Sequence, residues 1–243
     1  MSLKSKLLAS AAALTLAGGV GMGGLAMAGT ANAATPSCGG SCIDIFSHNF
    51  GTITNPGFLL DVYKRGQNVG QPIILFRLSN ADPALDFTVS DQGTVADFFA
   101  AGLVSSELDL HYAGEQAFEV EYAPYGADTG LCVGVAATAV QGEKVSLQPC
   151  GVSSKTVWVW DVDIDGTQNP GFSIPLLNGS DTNFSHPFAL TYPSGSYPTD
   201  TPRPQLYVSN LTGFSGTGPI PPSSLGVVSD TQLWNVDLFG QVF

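Results

Sequence analysis

LCVGVAATAVQGEKVSLQPCGVSSKTVW, residues 131–158, carries two cysteines, a run of small and branched residues, a Gly turn and a closing tryptophan. Cys132 and Cys150 enclose 17 residues that read as a short hairpin, with Val145-Ser-Leu147 as its returning strand. Four cysteines allow three pairings, and the hairpin between them favours 132–150. Cys38 and Cys42 are the other expected pair, closing a very small ring over Gly-Gly-Ser. The alternative for these two is half a metal site, but no second Cys or His pair lies near enough in sequence to supply the other half. Disulfides suit an oxidising compartment.

Outward from this stretch the chain keeps a strand period. In VWVWDVDID, residues 157–165, Trp158, Trp160, Val162 and Ile164 fall on one face and Asp161, Asp163 and Asp165 on the other. In AFEVEY, residues 117–122, Phe118, Val120 and Tyr122 alternate with Glu119 and Glu121, which the pattern places on an exposed face. Residues 73–78 form another short strand. Clusters such as NPG, APYG, YPSGSYP and GTGPIPP punctuate the strands, and the best helix candidate is the short VADFFAAGL, residues 95–103. Many short strands with frequent turns predict an all-β domain, a sandwich or a barrel.

Repetition narrows that choice. GTITNPGF at 51–58 recurs as GTQNPGF at 166–172, and each is followed at matched spacing by a closer, Gln116-Ala-Phe118 and Gln232-Leu-Trp234. Between them Thr156-Val-Trp158 closes a shorter unit. The units run approximately over 51–122, 128–165 and 166–238.

The middle unit resembles one repeat of a ricin-type β-trefoil lectin, through Cys132, Val135, Gly142, Val145, Leu147, Cys150 and Trp158. The intact Gln232-Leu-Trp234, the variant Gln116-Ala-Phe118, and FLLDV (58–62) followed by IILFRL (73–78) extend the resemblance to the flanking units. There Leu59 and Leu78 stand where the family has bridged cysteines. The resemblance implies a three-fold β-trefoil whose closing aromatics Phe118, Trp158 and Trp234 share a core, with long insertions near 90–106 and 211–228 in the first and third units. A β-sandwich is the alternative fold.

The resemblance also implies where sugar would bind. That family uses an acid in the opening strand, an aromatic near the second cysteine position and polar groups just before the closing Trp. The first unit has Asp61 and Phe76 at the first two places, with either Pro83-Ala84 or Glu115-Gln116 as its polar pair. The middle unit has Gly134, Gln148 and Lys155-Thr156, and the last keeps Gln232 with no evident acid or ring. Asp61 and Phe76 are therefore the expected ligand-binding residues.

Charge and export bound the function. Lys4 and Lys6, an apolar run over 7–28 and Ala31-Asn-Ala33 read as a signal peptide over 1–33, released from a single all-β domain over 34–243. The run is mostly Ala and Gly with no stop-transfer cluster, so no membrane span is expected after cleavage. The mature domain holds six basic and all 20 acidic residues, 6 − 20 = −14. It has no basic footprint for nucleic acid, and anionic membranes and glycans are repelled.

Catalytic and metal signals are sparse. There is no G-x-S-x-G or H-E-x-x-H, and His48, His111 and His186 are far apart. Asp161-Val-Asp163-Ile-Asp165-Gly166 matches the first half of a calcium loop, but Phe172 stands where the closing Glu belongs. The wet face of a strand ending in a DG turn explains the aspartates without metal. The sequons at Asn178, Asn183 and Asn210 read as turn chemistry. The expectation is a secreted, non-catalytic recognition module without cofactor, binding neutral carbohydrate weakly. The alternative is an extracellular structural or protein-interaction protein that has lost lectin activity.

Overall fold

The structure is a computed structural model that describes residues 42–51, 57–77, 82–161, 173–213, 216–238 and 241–242. The signal peptide, Cys38, Leu78, the run from Asp163 to Gly166 and most of both NPG openers lie outside the described residues.

Twelve strands fall into three groups of four in chain order. The first is β1 (Cys42–Ser47), β2 (Phe58–Val62), β3 (Ile73–Arg77) and β4 (Phe87–Thr94). The second is β5 (Gln116–Tyr122), β6 (Leu131–Val135), β7 (Val145–Pro149) and β8 (Val157–Trp160). The third is β9 (Leu176–Asn178), β10 (Phe188–Thr191), β11 (Tyr207–Asn210) and β12 (Trp234–Leu238). A short β13 (Gln241–Val242) pairs with β12.

The outer strands of each group close a barrel. β1 pairs with β4 and β12, β4 with β5, β5 with β8, and β8 with β9. The ring closes through Ile174 and Trp234, which exchange backbone hydrogen bonds of 2.9 and 2.8 Å. The inner strands form three hairpins, β2–β3, β6–β7 and β10–β11. Bridges at Pro72–Ser146, Ile74–Gln205 and Lys144–Tyr207 join the hairpins in pairs into a cap. Six closing strands capped by three mutually bridged hairpins define a β-trefoil, which rules out the sandwich.

The core follows the same three-fold order. The register makes Leu60, Val133 and Leu190 equivalent, and likewise Val62, Val135 and, one residue past the end of β10, Tyr192. Opposite the first three lie Leu75, Leu147 and Val208. Opposite Val62 and Val135 lie Ile73 and Val145, with Leu206 just before β11 as the third of that set. All belong to one buried cluster with the closing aromatics. Apolar residues at every second position of each hairpin are what the pleat delivers to one face.

The expected trio Phe118, Trp158 and Trp234 does share this core, but the aromatic that closes the first unit is Phe87, not Phe118, a correction. Each closing aromatic lies at the start of the last strand of its unit, as its first or second residue, two residues beyond a single 3₁₀ turn, at Pro83–Leu85, Ser154–Thr156 and Asp230–Gln232. Phe118 instead lies in β5, the opening strand of the second unit, directly opposite Trp158. The Gln-x-aromatic triplet at 116–118 misleads because β4 and β5 are adjacent barrel strands, so both carry core aromatics.

The two insertions meet outside the barrel. The first follows β4 and carries α1 (Val95–Ala100) and α2 (Ser106–Tyr112). Thr94 caps α1 in a capping box with Asp97, and Ser105 caps α2 by accepting from the Leu108 N–H at 3.1 Å. Val95, Phe98, Leu108 and Tyr112 pack with Ile220, Leu225 and Val228 of the second insertion in a separate buried cluster. The Tyr112 hydroxyl donates to the Gly218 carbonyl at 3.2 Å.

The Cys132–Cys150 disulfide is present. Cys42, the described half of the other expected pair, is disulfide-bonded. Beside Cys132–Cys150, Glu119 and Glu121 correct the expectation of a wet strand face, since both are buried. Glu121 accepts from the Gly130 N–H at 2.5 Å, and Glu119 accepts from the Gly151 N–H at 3.0 Å and from the Thr156 hydroxyl. These glutamates bind the two ends of the bridged hairpin to the barrel. Alternation reveals two faces but not whether a second layer covers the polar one.

Candidate functional site

Asp61 and Phe76 lie on the same face of the β2–β3 hairpin. Asp61 is opposite Ile74, and Phe76 is opposite Leu59, two residues along. The hairpin brings the two residues together, with Asp61 buried and Phe76 half-buried. Asp61 is only 3% exposed. Burial is the main force raising its pKa to about 7, with the nearby Asp82 adding to it and Arg203 and Arg65 pulling it down. Phe76 packs on Phe46, Leu59 and Leu85. The Arg203 guanidinium sits 3.9 Å from its ring centroid, a cation–π stack.

The same three positions can be read in every unit, because the register is shared. The second unit has Gly134, Gln148 and Thr156; the third has Thr191, Ser209 and Gln232; the first has Asp61, Phe76 and Leu85. In the second, a Cβ on Gly134 would stand 2.6 Å from the Lys155 carbonyl oxygen and 2.9 Å from the Thr156 methyl. The 3₁₀ turn before Trp158 therefore leaves no room for an acid. In the third, the Gln232 amide nitrogen donates to the hydroxyls of Thr191 and Ser209, each at 3.1 Å. Its amide oxygen accepts from the Thr212 N–H at 2.9 Å and hydroxyl at 2.7 Å. The polar groups of that face are spent on one another. In the first unit the turn before the closing aromatic is Pro83–Leu85 rather than Glu115-Gln116, and it supplies the apolar Leu85.

Around Asp61 lies a cluster that the sequence did not reveal. Arg65 donates through Nε to Asp82 at 2.9 Å. Tyr122, fully buried, has its pKa pushed up to about 12 by burial and by Asp61, Asp86 and Asp82, with Arg65 opposing. Asp86 accepts from the Tyr125 N–H at 2.7 Å, and burial raises its pKa. These residues come from different loops of two units, so no linear spacing links them.

Other expected groups are placed as follows. Asp161 is fully buried rather than wet. Burial raises its pKa to about 8 against the lowering effect of the Ile220 N–H, which it accepts at 3.1 Å. The other two aspartates of that run lie outside the described residues. Among the described residues no three His, Cys, Asp or Glu side chains gather as a metal site, and no helix is long and apolar enough to cross a membrane. Asn178 is buried and its amide donates to the Lys155 carbonyl at 3.0 Å. His48 Nδ1 meets Ser173 Oγ at 2.7 Å, and that hydroxyl donates to Asn235 Oδ1 at 3.0 Å. The trio ties the turn after β1 to β12.

Comparison with solved structures returns distant likenesses. The chain is similar to a designed 3-fold symmetric protein, ThreeFoil, at 12% identity over 81% of this chain and 97% of that one, with a TM-score of 0.49. It is similar to a mosquitocidal holotoxin at 12% identity over 81% of this chain but 17% of that one, with a TM-score of 0.46. The mdaA-1 domain matches at 14% identity over 80% and 88%, with a TM-score of 0.40. No protein family and no curated protein matches the chain. The trefoil assignment rests on the strand pairing above.

Proposed function

We propose that this chain is a secreted, non-catalytic recognition module that binds neutral carbohydrate weakly through its first unit. The observation that carries the reading is the shared face of Asp61 and Phe76, an acid beside an aromatic ring. Vicinal hydroxyls suit a carboxylate, and the C–H face of a sugar suits a flat ring. Arg203 already occupies the ring face, so a sugar must displace a guanidinium, and that exchange keeps affinity low, on the order of 1 mM. The acidic surface excludes anionic glycans.

A second reading has its own support: the equivalent faces of the second and third units are closed, one by Thr156 against Gly134 and the other by Gln232. A trefoil with two filled faces and a capped third fits an extracellular scaffold for protein contacts. Titrating methyl galactoside and methyl xyloside by NMR against wild type and Asp61→Asn separates the two. The lectin reading expects shifts at Phe76 and Arg203 that weaken in the variant. Identical behaviour of the two proteins, or no shift, favours the scaffold.

A further inference from the structure

We infer that a cleft at the seam of the first and second units, with Tyr125 as its platform, is a separate binding site for a neutral oligosaccharide. The cleft measures about 500 Å³ and is lined by Gln67, Pro124, Tyr125, Asp128, Thr129 and Leu131. That volume is in the range of small-ligand sites. Pro124 and Leu131 give it an apolar side; Gln67 and Asp128 supply an amide and a carboxylate. This is the mixture a pyranose needs, with C–H faces and hydroxyl edges.

Backbone geometry singles out the same place. Among the described residues, the non-glycine positions with positive φ are Lys64 at 55°, Arg65 at 58° and Tyr125 at 58°. Lys64 and Arg65 lead directly into Gln67 at one wall, and Tyr125 is the other wall. Left-handed backbone at residues with side chains is costly and gathers where a surface is held for a purpose. Here it turns an aromatic outward: Tyr125 is 58% exposed. Its turn is fixed by the Asp86 carboxylate on its N–H at 2.7 Å and by the Gly126 N–H to the Ala123 carbonyl at 2.8 Å. Thr129 is fixed too, its hydroxyl donating to the Tyr122 carbonyl at 2.6 Å. An exposed ring on a rigid turn loses little freedom when a sugar stacks on it.

The site rests on the reading of the chain as a carbohydrate-recognition module but not on the Asp61–Phe76 face. Cellotetraose, xylotetraose and tetragalacturonate, each at about 10 mM, are titrated into isotope-labelled protein, a concentration that saturates a site of about 1 mM. At least one neutral tetramer should shift the amides of Gln67 and Thr129. Tyr125→Gly, which keeps the left-handed turn and removes the ring, should weaken that response at least tenfold, and Asp128→Asn should weaken it as well. Asp61→Asn should leave it unchanged even if shifts at Phe76 vanish. The inference is overturned if neither neutral tetramer shifts these amides, if the shifts survive Tyr125→Gly, if they disappear in Asp61→Asn, or if tetragalacturonate binds more tightly than both.

Discussion

Trp158 and Trp234 make the same hydrogen bond on two different strands. Nε1 of Trp158 donates to the Val133 carbonyl at 2.9 Å, and Nε1 of Trp234 donates to the Leu190 carbonyl at 2.8 Å. Val133 and Leu190 hold the same place in their hairpins, so each indole pins a hairpin to the barrel strand that closes its unit. Phe87 takes the third corner, in the same buried cluster as Leu60, with a ring that has no N–H to donate. Truncating any of the three should cost about 3–5 kcal/mol. Chemical denaturation of Phe87→Ala, Trp158→Ala and Trp234→Ala checks this, and a Phe87→Ala variant as stable as wild type would remove it from the trio.

Gly134 should tolerate no acid. A Cβ there meets backbone at 2.6 Å, so Gly134→Asp forces the 3₁₀ turn before Trp158 to move and buries a carboxylate beside Glu119. A loss of more than about 2 kcal/mol is expected, read as a fall in Tm. A Tm unchanged in the variant would mean that the turn yields.

The Cys132–Cys150 bridge spans 18 positions, and closing a loop of this order is worth roughly 3 kcal/mol in the chain-entropy account. Replacing both cysteines by alanine should lower stability by that amount while leaving the barrel intact. Peptide mapping of the oxidised protein should recover the 132–150 pair, and a 42–150 linkage would contradict the structure.

Stability should fall as pH rises from about 4 to about 8. An Asp in the unfolded chain ionises near 4, whereas burial raises Asp61 to about 7 and Asp161 to about 8. Below about 4 both states hold the protons and nothing is lost. Between about 4 and 8 the unfolded chain releases protons that the fold retains, so unfolding gains; above about 8 both are ionised and the loss is complete. Asp61 contributes about 4 kcal/mol to that fall. Asp61→Asn should flatten the lower part of the Tm profile, and a profile unchanged by the variant would mean the carboxyl is not desolvated.

The sequence exposed the hairpins and two of the three closing aromatics because apolar alternation and the Cys…Trp spacing are local. Phe87 escaped because no Gln precedes it and Leu85 stands in that place. Glu119, Glu121 and Asp161 were read as wet because alternation describes one strand, while their cover comes from turns and insertions distant in the chain. Asp61 and Phe76 were singled out only through the resemblance of their unit to a lectin repeat, and the β2–β3 pairing sets them on one face. Arg203 over the ring, Tyr122 beside the acid and the Tyr125 turn were not legible, since they arrive from other units.

The central claim is that, of three equivalent faces, the first unit's is the one free to exchange its internal partner for a sugar. A crystal of the mature domain soaked in a neutral monosaccharide tests it most directly. The account predicts density against Phe76, with the Arg203 side chain withdrawn and a sugar hydroxyl on Asp61. Density on the Thr191–Ser209 or Gly134–Gln148 face, or an undisturbed Arg203–Phe76 stack with no sugar on it, would contradict it.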